Sequence, residues 1–218
     1  MTSPTTSPTT YRAVIFDLGG VVFPSPIDVF RDYERQQGLP HRFLSEVVLT
    51  DPHAGAWARL ERGELDVAGF CSAFEAECAV AGHRIDAAAL MERVGQGFDP
   101  RPEMVAAIRA IRARGLKTGA LTNNWTPDEP REGAIQSMGD IFDVVVESAV
   151  EGVRKPDPRI YELACERLGV RPGESVFLDD LGVNLKAARA MGMTTIKVAD
   201  PTDALSELSD VLGFKLEG

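Results

Sequence analysis

Apolar residues follow two different patterns along this chain of 218 residues, and the change of pattern divides it into segments. Residues 13–16 are a short apolar run ending at an aspartate, which is typical of a strand buried on both faces. Apolar residues then recur at helical spacing from about residue 27 to residue 97, without a convincing strand. Beyond residue 99, short apolar runs alternate with helical patterns. The order predicts an α/β core interrupted after its first strand by four or five short helices.

The predicted core is a Rossmann-like, three-layer α/β fold, because strands that alternate with helices form a parallel sheet covered on both faces. It comprises residues 11–23 and 99–218, and the helical insertion comprises residues 24–98. Residues 1–10 contain only Ser, Thr and Pro after Met1, so we expect a flexible tail rather than a secretory signal. Further strands are predicted at residues 117–121, 143–148, 175–178 and 194–198.

Composition narrows the choice of partners. The net charge of −10 argues against a nucleic acid or an anionic membrane, since both attract basic surfaces. No apolar run approaches the length of a membrane span. The three cysteines make a poor disulfide framework, so we expect reduced thiols and a cytoplasmic protein. The sequence leaves a monomer and a homodimer equally open.

Polar side chains follow three of the predicted strands, and a lysine precedes a helix in the same half of the chain. Parallel strands present their carboxyl ends at one edge of the sheet, so these groups should meet in one crevice. Converging carboxylates repel one another unless a cation such as Mg²⁺ neutralises them. With a lysine and a hydroxyl nearby, such a site suits a phosphoryl group, and one aspartate can act as a nucleophile. The candidates are Asp17, Thr122, Asn123, Asn124, Lys155, Asp179 and Asp180.

Four of these segments, in this order, resemble the motifs of the haloacid dehalogenase-like (HAD) hydrolase superfamily. The resemblance covers residues 11–218 and is closest to the phosphatase domain at the N-terminus of bifunctional soluble epoxide hydrolases, and to related domains fused to acyl-CoA dehydrogenases. It implies a Mg²⁺-dependent phosphatase that acts on a small phosphorylated metabolite, with residues 24–98 as a helical cap of the C1 type. The segments are Asp17-Leu18-Gly19-Gly20-Val21, Leu121-Thr122-Asn123, Lys155-Pro156 and Leu178-Asp179-Asp180.

The resemblance also implies a role for each candidate residue. Asp17 would be the nucleophile and, with the carbonyl of Gly19 and the carboxylate of Asp180, a metal ligand. Asp179 would be a further ligand or would support the ligands. Binding of the phosphoryl group would fall to Thr122, Asn123, Asn124 and Lys155.

The sequence departs from this family at Gly19, where phosphatases usually carry an aspartate that protonates the leaving group. The expected phosphatase is therefore weak or confined to good leaving groups. Two alternatives remain: a 2-haloacid dehalogenase, in which Asp17 attacks carbon without a metal, and a catalytically impaired binding domain. Asn184 stands where a helix starts, so it could cap that helix or take part in catalysis.

Overall fold

The computed structural model describes residues 10–95, 99–126 and 138–216. All but the last residue of the predicted N-terminal tail, the end of the predicted insertion and most of the polar loop after residue 125 lie outside the described residues. Within them, five parallel strands form one sheet in the order β3-β2-β1-β4-β5. The predicted α/β architecture with a parallel sheet is confirmed. The strands are β1 (Ala13–Phe16), β2 (Lys117–Thr122), β3 (Val144–Glu147), β4 (Ser175–Asp179) and β5 (Thr194–Lys197).

Eleven α-helices accompany these strands in the described part of the chain. Five of them lie between β1 and the next core helix, and the other six alternate with the remaining strands. The short helix α8 was not predicted. The helices are α1 (Pro26–Gln37), α2 (Phe43–Thr50), α3 (Ala56–Glu61), α4 (Val67–Val80), α5 (Ala87–Gly95), α6 (Pro102–Ala113), α7 (Met138–Ile141), α8 (Ser148–Glu151), α9 (Pro158–Leu168), α10 (Gly182–Ala190) and α11 (Pro201–Leu212).

β1 occupies the centre of the sheet and is buried on both faces, as its uninterrupted apolar run predicts. Val14 and Phe16 face α6 and α11 in one hydrophobic core. Ala13 and Ile15 face α9 and α10 in a second core on the other side. Successive side chains of β1 thus point to opposite faces of the sheet and pack against helices on both sides, which gives a three-layer structure.

Helices α1–α5, called here the helical insertion, have a hydrophobic core of their own. Its centre is aromatic: Phe70 stacks on Phe74 with ring centroids 5.2 Å apart, and Trp57 meets the edge of Phe70 at 5.4 Å. A separate core means that the insertion packs as a unit beside the sheet rather than as extra layers of it. The division of the chain at residues 24 and 98 stays a prediction.

In the described part of the chain, every helix falls short of the length and apolar character that crossing a bilayer requires.

We expect Phe70→Ala to lower the free energy of unfolding by about 3–5 kcal/mol, since it leaves a cavity in the core of the insertion. Val80 lies on the same helix and is 91% exposed, so Val80→Ala should change the stability by less than about 0.5 kcal/mol. Urea denaturation of both variants measures the difference. Equal midpoints would contradict the assignment of Phe70 to a close-packed core.

Candidate active site

The carboxyl ends of β1, β2 and β4 bring the candidate residues to one edge of the sheet. Asp17 directly follows β1, while β2 ends at Thr122 and β4 ends at Asp179. The register pairs Phe16 with both Ala120 and Leu178, so the three strands stop at nearly the same level. Both β2 and β4 run one residue further than predicted, which makes Thr122 and Asp179 part of the sheet and fixes their backbone.

Lys155 is the cation at the centre of this edge. Its Nζ lies 2.8 Å from Asp17 Oδ1 and 2.8 Å from Asp179 Oδ2, and its side chain is almost completely buried. Burial by itself lowers the pKa of Lys155, but the charges of Asp17 and Asp179 outweigh that effect and raise it. Lys155 is therefore held as an ammonium ion between two carboxylates.

Asp179 supports this arrangement rather than facing solvent. It is completely buried, and besides Lys155 it accepts hydrogen bonds from the backbone N–H of Leu181 and from the side-chain amide of Asn184. Both of its oxygens are thereby engaged. Of the two roles expected for Asp179, these contacts favour support of the ligands.

The expectation that Asn184 caps a helix is wrong. α10 begins at Gly182 with Leu181 as its N-cap, so Asn184 lies inside the first turn. The helix starts two residues earlier than the sequence pattern indicated, and this turns the Asn184 amide toward Asp179. Tyr161 donates a hydrogen bond to the backbone carbonyl of Asn184. Asn184 is thus a buried link between α10, α9 and the acidic edge.

Three carboxylates cluster here, and their donor set fits a divalent cation. Ligand oxygens of Asp17, Asp179 and Asp180 all lie within 4.8 Å of one another. Burial, followed by the charge of Asp179, raises the pKa of Asp180 to about 6. Burial also raises the pKa of Asp17 well above its usual range, against the opposing effect of Lys155. With all three carboxylates ionised, the cluster would carry two more negative charges than Lys155 balances, and a bound divalent cation such as Mg²⁺ would neutralise them.

The residues at the end of β2 and just after it contact two different parts of the core, the loop of Lys155 and the end of β3. Thr122 is buried at the strand end. Asn123 binds the backbone of Lys155, accepting from its N–H at 2.9 Å and donating to its carbonyl at 3.1 Å. Asn124 donates to the Glu147 carboxylate, and its backbone N–H donates to the Ser148 hydroxyl. The side chain of Asn124 therefore shapes the loop beside β3 instead of meeting Lys155 and Asp17.

The two glycines after Asp17 differ in what their positions allow. Gly20 has φ +80°, and a Cβ there would overlap the Asp180 carboxylate, with Cγ only 2.6 Å away. Gly20 is thus required by the close approach of the backbone to Asp180. A Cβ at Gly19 would meet only the ring of Pro26, at 3.4 Å or more. A Cβ is therefore tolerated at position 19 but not at position 20.

Sequence reasoning missed two charged residues next to the site. Glu61 ends α3 of the insertion and is 8% exposed, and its Oε2 lies 2.6 Å from Nε of Arg154. Burial raises the pKa of Glu61, while the charges of Arg154 and Lys155 oppose the rise. A carboxylate at the end of an amphipathic helix usually faces water, so the pattern carried no signal for this contact. The position of Arg154 directly before Lys155 was the one available hint.

Comparison with known proteins identifies the family. Residues 11–192 match the sequence model of the haloacid dehalogenase-like hydrolases, and the chain belongs to that family. It is 41% identical to acyl-CoA dehydrogenase family member 10 of Mus musculus over 94% of the chain, and 34% identical to bifunctional epoxide hydrolase 2 of Sus scrofa over the same share. The chain spans 20% and 39% of the length of these two relatives.

A third relative matches from end to end. The sesquiterpene phosphatase astK of Aspergillus oryzae is 28% identical over 94% of the chain and 98% of its own length. Two solved structures share the fold. A HAD family enzyme of Bacteroides thetaiotaomicron, in complex with magnesium and inorganic phosphate, has a TM-score of 0.59 at 19% identity over 86% of the chain and 93% of its own. The L-2-haloacid dehalogenase of Xanthobacter autotrophicus has a TM-score of 0.58 at 23% identity over 96% and 85%.

Replacing Gly20 by alanine should weaken binding of Mg²⁺, because the new Cβ displaces the Asp180 carboxylate. The left-handed backbone adds a cost of about 1–2 kcal/mol to the folded state. Gly19→Ala is the matched control and should leave both properties near those of the wild type. Calorimetric Mg²⁺ titration and thermal unfolding measure the two effects. Indistinguishable variants would contradict the close approach at Gly20.

Proposed function

We propose that this hydrolase is a Mg²⁺-dependent phosphatase that acts on small phosphorylated molecules through an aspartyl-phosphate at Asp17. The carrying observation is the cluster of Asp17, Asp179 and Asp180 around the ammonium of Lys155. Its excess negative charge fits a divalent cation, whereas a dehalogenase that works without a metal has no need of it. Relatives named as phosphatases support the same choice.

In the proposed site, Mg²⁺ would be held by the carboxylates of Asp17 and Asp180 and by the carbonyl of Gly19. When bound, the cation would neutralise charge on the phosphoryl oxygens. Asp179 would contribute indirectly, because its oxygens already hold Lys155, Leu181 and Asn184. Arg101 donates to the carbonyls of Gly20 and Val21 at 3.0 Å, which steadies the loop that carries Gly19.

The chain's own residues account for the two steps. A carboxylate oxygen of Asp17 attacks phosphorus, and the bond from phosphorus to the leaving oxygen breaks. Lys155 neutralises negative charge on the phosphoryl group while remaining hydrogen-bonded to Asp17. The hydroxyl of Thr122, at the end of β2, would donate to the same oxygens. Water then attacks phosphorus, and the bond from phosphorus to the Asp17 oxygen breaks. Inorganic phosphate leaves with both protons of that water, and the Asp17 carboxylate is restored.

Gly19 sets the limits of this activity. With no carboxyl group at position 19, the leaving oxygen takes its proton from water, so good leaving groups are favoured.

We propose that the helical insertion serves as the cap that excludes bulk water during the reaction, as the family resemblance implies. The proposed setting is the cytoplasm, where the buried thiols of Cys78 and Cys165 stay reduced. The site is proposed for a monomer or a homodimer.

The second candidate is a 2-haloacid dehalogenase, favoured by one feature of the chain and one comparison. Position 19 lacks the carboxyl group that phosphatases use. A bacterial (S)-2-haloacid dehalogenase is 31% identical over 44% of the chain. In that reaction Asp17 would attack the carbon that bears the halogen, and halide would leave. The cluster that includes Asp180 argues against this candidate.

Phosphate release from p-nitrophenyl phosphate should require Mg²⁺ and should disappear on addition of a chelator. Asp17→Asn should abolish it, since the amide is a far weaker nucleophile than the carboxylate. Chloride release from 2-chloropropionate is measured in parallel. Chloride without phosphate would select the dehalogenase, and neither product would indicate a binding domain. Unchanged turnover by Asp17→Asn would remove Asp17 from the mechanism.

Gly19→Asp should raise turnover of an alkyl phosphate such as glycerol phosphate by at least about 10-fold, because general acid catalysis is typically worth about 10²–10⁴-fold. A Cβ at Gly19 would meet only the ring of Pro26, at an ordinary contact distance of 3.4 Å or more. Turnover of p-nitrophenyl phosphate should change much less, because its leaving group needs no proton. Gly19→Asn is the matched control, with the same size and no acid. An equal gain in both variants would show that acidity is not the missing element.

A further inference from the structure

The carboxylate of Glu61 contacts both loops that carry Thr122 and Lys155 from within the helical insertion. Its Oε1 accepts a hydrogen bond from the Trp57 indole at 2.9 Å, which fixes the carboxylate from within the insertion. Its Oε2 lies 2.6 Å from Arg154 Nε and accepts a hydrogen bond from Asn123 Nδ2 at 3.4 Å. One buried carboxylate thus joins three segments that are far apart in sequence.

Both core partners of Glu61 are direct neighbours of residues in the proposed mechanism. Arg154 precedes Lys155, and its Nη1 also donates to the carbonyl of Pro52 in the insertion at 2.8 Å. Asn123 follows Thr122, and its amide holds the Lys155 backbone at N–H and at C=O. The Lys155 side chain then reaches Asp17. A continuous series of contacts therefore connects Glu61 in the insertion to Asp17, the proposed nucleophile.

The surroundings of Glu61 distinguish it from the surface ion pairs of the chain. The Glu61 and Arg154 side chains are 10% and 21% exposed, whereas those of Asp28 and Arg31 on α1 are more than half exposed. A pair of the latter kind contributes little, because water screens it. Removal of one partner from a buried pair leaves an uncompensated charge and is costly. The contact therefore biases the position of the insertion strongly enough to be measured.

We propose that Glu61 is a positioning residue, which holds the loops bearing Thr122 and Lys155 in register with Asp17 when the insertion lies against the core. This inference rests on the proposed function, since the role concerns the groups that would bind the phosphoryl oxygens. Displacement of reacting groups by about 1 Å is enough to lower a rate by about 10²-fold. Glu61 acts through Asn123 and Arg154, and it is not itself placed at the reacting atoms.

The chain contains a spectroscopic reporter of this contact. Its only two tryptophans are Trp57 in the insertion and Trp125 in the loop after β2, and their ring centroids are 6.2 Å apart. Indoles this close couple their electronic transitions, which gives a paired band in the far-ultraviolet circular dichroism spectrum. Because Trp57 also donates to Glu61, a change at Glu61 that lets the insertion move should weaken the paired band.

The test compares Glu61→Gln with Glu64→Gln. Glu64 also pairs with an arginine at 2.6 Å, but its partner is Arg62 within the insertion, and it does not bridge to Asn123 or Arg154. We expect Glu61→Gln to weaken the paired band and to lower kcat/KM by at least about 10-fold, for p-nitrophenyl phosphate and glycerol phosphate alike. Glu64→Gln should keep the wild-type spectrum and rate. The double variant Glu61→Gln/Arg154→Gln, which leaves no buried charge unpaired, provides a second route if Glu61→Gln does not fold.

Each outcome bears on the proposal. Equal losses for both substrates, together with a weakened band, support positioning. A loss confined to glycerol phosphate overturns it and makes Glu61 a proton donor to the leaving group. Wild-type behaviour of Glu61→Gln and of the double variant also overturns it. If the wild-type protein releases no phosphate, the proposed phosphatase fails, and the spectrum alone still decides whether Glu61 holds the insertion against the core.

Discussion

The site depends on one buried ammonium ion shared by two carboxylates. Without Lys155, Asp17 and Asp179 would lie in the interior as unpaired charges, each of which costs several kcal/mol to remove from water. With it, each of these two carboxylates has a cation 2.8 Å away, and Asp180 adds the third carboxylate of a cluster that fits a divalent cation. Lys155 therefore serves folding and the proposed chemistry at once, and a change at this position should affect both together.

Two asparagines hold the groups around that lysine in place. Asn123 binds the backbone of Lys155, and Asn184 binds the carboxylate that pairs with its ammonium. Neither amide carries charge, so each adds directional hydrogen bonds without disturbing the electrostatic balance of the cluster. Glu61 extends this support into the helical insertion. The proposed reacting groups are thus positioned by residues from the sheet edge, from α10 and from α3.

Much of the fold followed from apolar periodicity, because a strand buried on both faces and an amphipathic helix differ in their patterns. The convergence of Asp17, Lys155 and Asp179 also followed, because parallel strands end at one edge. The directions of the polar side chains could not be predicted from these patterns. The sequence left two roles open for Asn184 and implied phosphoryl binding for Asn124, but the partners of these side chains depend on where a helix begins and how a loop bends. Glu61 was missed for a related reason. It joins the helical insertion to the α/β core, and a single contact of this kind does not change the apolar periodicity of either segment.

The central place of β1 in the sheet has a consequence during synthesis on the ribosome. β1 is made before both of its neighbours, and β4 pairs with it from the far end of the core, Ala13 with Ser175. Until β4 emerges, one side of an entirely apolar strand lacks its native hydrogen-bond partner. Such an edge invites pairing with other chains. The order of synthesis therefore leaves this edge of β1 unpaired for longer than the edge that β2 covers.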